Sequence, residues 1–161
     1  MSIFSFDEAE KLNYMKTVMV FGTFDLLHRG HINFLKQAKE YGDLIVVIAR
    51  DKTVKRVKGK LPKYNESRRL KAILSLNLAA TAVLGNLMDK YAVIVKFRPS
   101  VIALGYDQNH FTDRLAEKFK DIKIIRLKSF QPNKYKTSII KYENNHLRQH
   151  KIQKRNAGNK K

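Results

Sequence analysis

Five short apolar runs alternate with segments of helical spacing along the chain. Residues 17–21 (TVMVF) are rich in β-branched side chains and stop at Gly22, which marks a buried strand. Residues 31–41 then place Ile32, Leu35 and Ala38 at helical spacing, with Gly42 closing the helix. Residues 44–49 (LIVVIA) are apolar on both faces, as a central strand of a parallel sheet requires. Residues 52–63 read as a basic loop ending near Pro62. Asn65 and Glu66 open a helix reaching Leu76, with Leu70, Ile73 and Leu74 facing inward. Further strands are predicted at 82–84, 101–104 and 123–126. Helices are predicted at 88–97, stopped by Pro99, at 111–119 and at 137–146. This order predicts an α/β fold: a three-layer domain with a mainly parallel five-stranded sheet and right-handed crossovers.

The chain has 161 residues, the size of one domain. Residues 16–146 are expected to form it, after an extension at 1–15 where Phe4, Ala9 and Leu12 share a helical face. Residues 147–161 are nearly devoid of apolar side chains and read as a disordered basic tail. Charge changes the picture more than length does. The net charge is +19, and the six Lys and Arg of residues 146–161 leave +13 on the rest, so the body is basic too. Such a surface favours anionic partners: nucleotides, phosphorylated metabolites, nucleic acid or acidic lipid. The absence of cysteine excludes disulfides, thiolate metal sites, iron–sulfur clusters and cysteine nucleophiles. Apolar runs stop at about six residues, far short of a membrane span. Asp7, Glu8 and Glu10 at the start argue against a signal peptide, and the cytoplasm is the expected location.

Ligands of open parallel sheets bind beyond the carboxyl ends of the strands. Three segments with unusual chemistry fall there. The first runs from Gly22 through Thr23, Phe24, Asp25 and His28 to Arg29, Gly30 and His31. Gly22 is expected to leave the strand with a backbone angle that other residues resist. Gly30 has no side chain to obstruct a phosphate at the N-terminus of the next helix, where the dipole favours an anion. His28 and His31, three positions apart, lie on nearly one face and can donate to charge developing on phosphoryl oxygens. A metal reading of the pair lacks further ligands nearby. The second segment, residues 50–60, has six basic residues and a glycine, the composition of a lid over a polyphosphate. The third, residues 103–108, ends on Asp107, suited to a base amino group or a ribose hydroxyl, or equally to an Asx turn or a helix cap. Thr137 and Ser138 precede the last helix, either as caps or as the opening of a phosphate site.

The block from Gly22 to His31 resembles the G-T-F-D…H-x-G-H signature of the cytidylyltransferase-like nucleotidyltransferases, and the resemblance extends from about Val18 to Ile140. It implies a Rossmann-like fold and transfer of a nucleoside monophosphate from CTP or ATP to a phosphorylated acceptor, releasing pyrophosphate. By the family pattern, Thr23 and Phe24 line the nucleotide site, and His28 to His31 bind and activate the triphosphate. Lys58 and Lys60 match phosphate-binding lysines. Glu66-Ser67-Arg68 matches an E-x-R helix start, with Arg68 either a phosphate contact or a structural ion pair. The pair Thr137–Ser138 matches one that contacts nucleotide phosphates. Mg²⁺ or another divalent cation is expected to travel with the triphosphate, with no protein ligand assigned.

Within the family, the runs Val46–Lys52, Lys58-Gly59-Lys60 and Leu104-Gly105-Tyr106-Asp107-Gln108 look most like the archaeal-type FAD synthases, which adenylylate FMN. The Arg-Thr-x-Gly arm of glycerol-3-phosphate cytidylyltransferases is absent before Thr137, although a cytidylyltransferase making a CDP-alcohol such as CDP-glycerol stays the alternative. The expected partners are therefore ATP or CTP and a phosphorylated small molecule, FMN favoured. No membrane is expected, a homodimer is left open, and the tail is suited to polyanions. A rival of another class is a non-catalytic basic module binding nucleic acid. Charge alone supports it, and charge does not explain two histidines at a helix start.

Overall fold

A computed structural model describes residues 16–109, 112, 114–131 and 133–135. Ten elements follow in order: β1 (Thr17–Gly22), α1 (Arg29–Lys39), β2 (Asp43–Ile48), α2 (Asp51–Lys58), α3 (Glu66–Leu74), β3 (Thr81–Leu84), α4 (Ala92–Phe97), β4 (Val101–Leu104), α5 (Leu115–Lys118) and β5 (Lys123–Arg126). The five strands form one sheet in the order β3-β2-β1-β4-β5, and every pairing is parallel.

Alternation along each strand splits the core in two. Val18 and Val20 of β1, Leu44, Val46 and Ile48 of β2, and Val101 and Ala103 of β4 pack with Leu35 and Ala38 of α1 and Ile73 of α3. The intervening Met19, Ile45, Val47, Ile102 and Leu104 pack with Val93 and Ile94 of α4 and Leu115 of α5. Strands buried on both faces need apolar side chains at every position, which is why β2 and β4 read as unbroken runs. The result is the expected three layers, with α1 and α3 on one face and α4 and α5 on the other.

Several expectations are corrected. The basic segment is not a loop, because Asp51–Lys58 is helical. Asp51 lies in its first turn and Lys55, Arg56 and Lys58 in its last, each sign where the helix dipole favours it. Val54 anchors the helix at 4% exposure, and Gly59 ends it at φ 71°, the left-handed conformation glycine adopts without strain. Leu74 does not face inward but is half exposed. The helix expected at 88–97 starts only at Ala92: Asn86 Oδ1 accepts from the Met88 and Asp89 N–H groups, holding that stretch as a turn with Met88 in solvent. The helix expected at 111–119 is the single turn of α5, with residues 111 and 113 outside the described residues. The extension at 1–15, the helix at 137–146 and the tail at 147–161 also lie outside them.

Candidate active site

Strand order reverses between β1 and β4, whose crossovers run to opposite sides of the sheet, and it is beyond the carboxyl ends of such a pair that ligands of open parallel sheets bind. The chain leaving β1 borders that place. Gly22 is needed there for space rather than for its backbone angle: a Cβ would lie 2.7 Å from two ring carbons of Phe24. Phe24 turns inward at φ 50° and is almost fully buried, with its ring edge-on to His31 at 5.6 Å. Asp25, equally buried, accepts from the Lys63 and Tyr64 N–H groups at 2.8 and 3.1 Å, tying this turn to the segment after α2.

His28 is the N-cap of α1, and its Nδ1 accepts from the N–H groups of Gly30 (3.1 Å) and His31 (3.4 Å). Two of the donors that a helix start offers an anion are therefore taken by the imidazole, and the proton of His28 resides on Nε2. Gly30 is confined by this arrangement, since a Cβ would meet the His28 ring at 2.9 Å and the Tyr135 carbonyl at 3.0 Å. The rings of His28 and His31 stack at 3.8 Å. Burial lowers the pKa of His28, and it lowers that of His31 to about 3, assisted by the charges of His28 and Lys58 and opposed by Asp25. Burial thus favours the neutral form of both imidazoles. His31 Nδ1 is buried without a hydrogen-bond partner among the described residues.

Lys58 closes the site from the last turn of α2, its Nζ donating to Thr23 Oγ1 at 3.0 Å. Folding as a helix is what delivers it there, 35 residues from Thr23 in sequence. Lys60 is exposed two residues beyond Lys58. Arg68 is exposed with its guanidinium 3.9 Å over the Tyr64 ring. Its neighbour Arg69 is buried at 1% and makes the ion pair, with Nη2 2.7 Å from Asp51 Oδ1. Arg69 also donates to the carbonyls of Tyr64, Ala49 and Thr23, joining α3, the end of β2 and the loop after β1. Asp51 and Glu66 cap each other's helices, Asp51 N–H to Glu66 Oε2 at 2.8 Å and Glu66 N–H to Asp51 Oδ2 at 3.1 Å. Arg50 Nε lies 2.9 Å from the remaining Glu66 oxygen.

Asp107 sits in the exposed turn after β4, the strand beside β1. That turn is staked from β5 by Arg126, whose Nη1 donates to the carbonyls of Gly105 (2.6 Å) and Gln108 (3.1 Å). Tyr135 stacks on Phe130 at 5.8 Å and on His28 at 6.4 Å, bringing the chain before Thr137 over the helix start. Thr137 and Ser138 themselves are outside the described residues. The structure thus brings Gly22, Thr23, Phe24, His28, Gly30, His31 and Lys58 together, with Arg29 exposed at the first position of α1. Sequence reasoning missed Asp25, Arg69 and Arg126. For Arg69 a signal existed: it stands four residues before the buried Ile73, on the same helix face, whereas Arg68 does not.

Burial of a neutral His31 has a measurable consequence. In the unfolded chain its imidazole binds a proton near pH 6.5, whereas in the folded protein it stays neutral down to about pH 3. Between those values the unfolded state holds more protons, so stability is full above pH 7 and declines as pH falls through 6.5. From this residue alone, stability at pH 5 is expected to be about 2 kcal/mol below that at pH 8. Urea unfolding at the two pH values checks it, and His31→Gln should flatten the difference.

A parallel sheet whose switch point carries a glycine-spaced imidazole pair and a converging lysine defines a nucleotide-binding α/β protein built to handle phosphoryl groups. The chain belongs to the cytidylyltransferase-like family, whose model matches residues 19–143. It is 40% identical over 121 residues to an FAD synthase of Thermoplasma volcanium, covering 72% of this chain and 84% of that one. An FAD synthase of Thermoplasma acidophilum is 36% identical over 132 residues, 79% of this chain and 92% of that one. For that of Aciduliprofundum boonei the figures are 42% over 121 residues, 72% and 80%. A crystal structure described as the lipopolysaccharide core biosynthesis protein of T. volcanium matches with a TM-score of 0.68 at 38% identity, covering 73% of this chain and 99% of that one. Among the described residues, no helix is long and apolar enough to cross a membrane.

Proposed function

We propose that this nucleotidyltransferase is an FMN adenylyltransferase, moving AMP from ATP to FMN to give FAD and pyrophosphate in the cytoplasm. The carrying observation is kinship at 36–42% identity with proteins named FAD synthase, each covered over most of its length. The site supports the chemistry. A phosphate oxygen of FMN attacks the α-phosphorus of ATP in line, the bond from that phosphorus to the bridging oxygen breaks, and pyrophosphate leaves with the electron pair. No protein nucleophile is required, so positioning and electrostatic stabilisation do the work. His28, through Nε2–H, and His31 donate to the phosphoryl oxygens as charge grows. Lys58, held by Thr23, neutralises the triphosphate, with Lys60 and Arg68 as further cations at the rim. Thr137 and Ser138 hold the outer phosphates, and Asp107 accepts from the nucleoside.

Among the described residues no three His, Asp or Glu side chains group to hold a metal ion. We assign the divalent cation to the phosphate oxygens of ATP, where it offsets their charge when bound. The test is FAD and pyrophosphate formation with ATP and CTP side by side. ATP with FMN is expected to turn over with a kcat/KM well above that for CTP, because a turn built for one base leaves buried groups unpaired with another. CTP turnover with glycerol 3-phosphate, and none with ATP and FMN, would refute the flavin assignment. Absence of pyrophosphate from every pair would leave a binding module.

A further inference from the structure

The turn after β4, residues 105–108, is held by hydrogen bonds rather than by burial. None of its four residues is buried, and Tyr106 and Asp107 at its tip are exposed. Gly105 does not fix its shape either. That glycine has no positive φ, and a Cβ on it would meet nothing nearer than 3.8 Å. Within the turn, Gln108 N–H donates to the Gly105 carbonyl at 3.2 Å, and Gln108 Oε1 accepts from the Gly105 N–H at 3.3 Å. The remaining hold comes from outside. Arg126 ends β5, paired with Leu104 at the end of β4, and its Nη1 donates to the carbonyls of Gly105 (2.6 Å) and Gln108 (3.1 Å). One donor thus grips both ends of the turn from a strand that the sheet itself fixes. Being charged, it makes hydrogen bonds roughly twice as strong as neutral ones.

We propose that Arg126 is a positioning residue for the nucleotide: by holding both ends of this turn it fixes where the Asp107 carboxylate stands, and so sets the choice of base. This inference rests on the reading in which Asp107 accepts from the nucleoside, and it adds what keeps that group still. A base is chosen by hydrogen bonds to its edge, and these discriminate only when the acceptor cannot swing to suit another base. Asp107 lies between the two carbonyls that Arg126 grips. Releasing them would let an exposed turn follow whichever ligand arrives, and ordering it on binding would then cost affinity. The imidazoles and Lys58 stand on other elements, the start of α1 and the end of α2. Loosening the turn therefore leaves the phosphate-handling groups in place, and its effect falls on nucleotide binding and not on phosphoryl transfer.

The test is steady-state kinetics with ATP and FMN varied separately, and with CTP in place of ATP. The proteins are the wild type, Arg126→Ala, Gln108→Ala, Asp107→Ala and the double variant of Arg126→Ala with Asp107→Ala. Arg126→Ala should raise the KM for ATP about tenfold, with the KM for FMN unchanged, kcat within about twofold, and the preference for ATP over CTP reduced. Gln108→Ala loosens the same turn from within and should move the same KM in the same direction. It decides the matter if Arg126→Ala does not fold. The double variant should lose no more than about twofold beyond Asp107→Ala alone, because both changes act through one carboxylate. Losses that multiply would mean that Arg126 meets the nucleotide itself, and would overturn the positioning role. An unchanged KM for ATP, or a fall in kcat alone, or an equal rise in the KM for FMN would overturn it too. A wild type that turns over CTP with glycerol 3-phosphate, and not ATP with FMN, would overturn the flavin reading alone, and the same variants then judge Arg126 by the KM for CTP.

Discussion

Replacing His28 or His31 by alanine should lower kcat by about 10²–10³ at saturating ATP and FMN, the usual loss for one donor to a developing oxyanion. The expectation follows from how the two rings are held. His28 is locked as an N-cap, so its Nε2 proton has a fixed direction, and His31 is stacked 3.8 Å from it with Phe24 behind. Neither ring reorganises as charge develops. Because burial holds both pKa values down, the ionisation of His31 should leave no inflection in the activity profile above pH 5. Single-turnover rates on both variants check the first point, with a pH series on the wild type for the second. His28→Ala also removes the cap of α1 and should lose about 1 kcal/mol of stability, whereas His28→Asn, which restores a capping oxygen, should regain the stability without the rate. Near wild-type turnover in either alanine variant would remove the assigned role.

The second large effect is on folding. Arg69→Ala should destabilise the protein by about 3–5 kcal/mol, the range for breaking a buried ion pair from one side. Its guanidinium is the shared donor for three carbonyls and the Asp51 carboxylate, and its loss strands four acceptors around the junction of β1, β2 and α3. Arg69→Lys should rescue little, because one ammonium cannot reproduce a planar fork spread over four acceptors. Urea denaturation of the three proteins decides it. Arg68→Ala, one residue away and in solvent, should stay within about 0.5 kcal/mol of wild type and serves as the control.

The sequence by itself determined the α/β class, the three layers and the five-stranded parallel sheet. A strand buried on both faces must be apolar throughout, so β1, β2 and β4 were legible to within a residue or so, while the edge strand β5 was legible from the apolar pair Ile124–Ile125 between charged ends. The G-T-F-D…H-x-G-H block is local, its histidines three positions apart at a helix start, and local geometry brings their rings together whatever surrounds them. Elements whose stability comes from elsewhere were less legible. Helix α2 is eight residues long, too short to stand by propensity, and is held by Val54 in the core and by reciprocal caps with α3. A run of lysines therefore read as a loop, although the acid at its start and the glycine at its end were signals of a helix. Lys58 on Thr23, Arg126 on the Gly105 turn and Asp25 on Lys63 and Tyr64 join residues 18 to 39 positions apart. Only the tertiary structure decided these, as it decided between Arg68 and Arg69. Burial, not residue type, makes one arginine the centre of the junction and leaves the other on an aromatic ring in solvent.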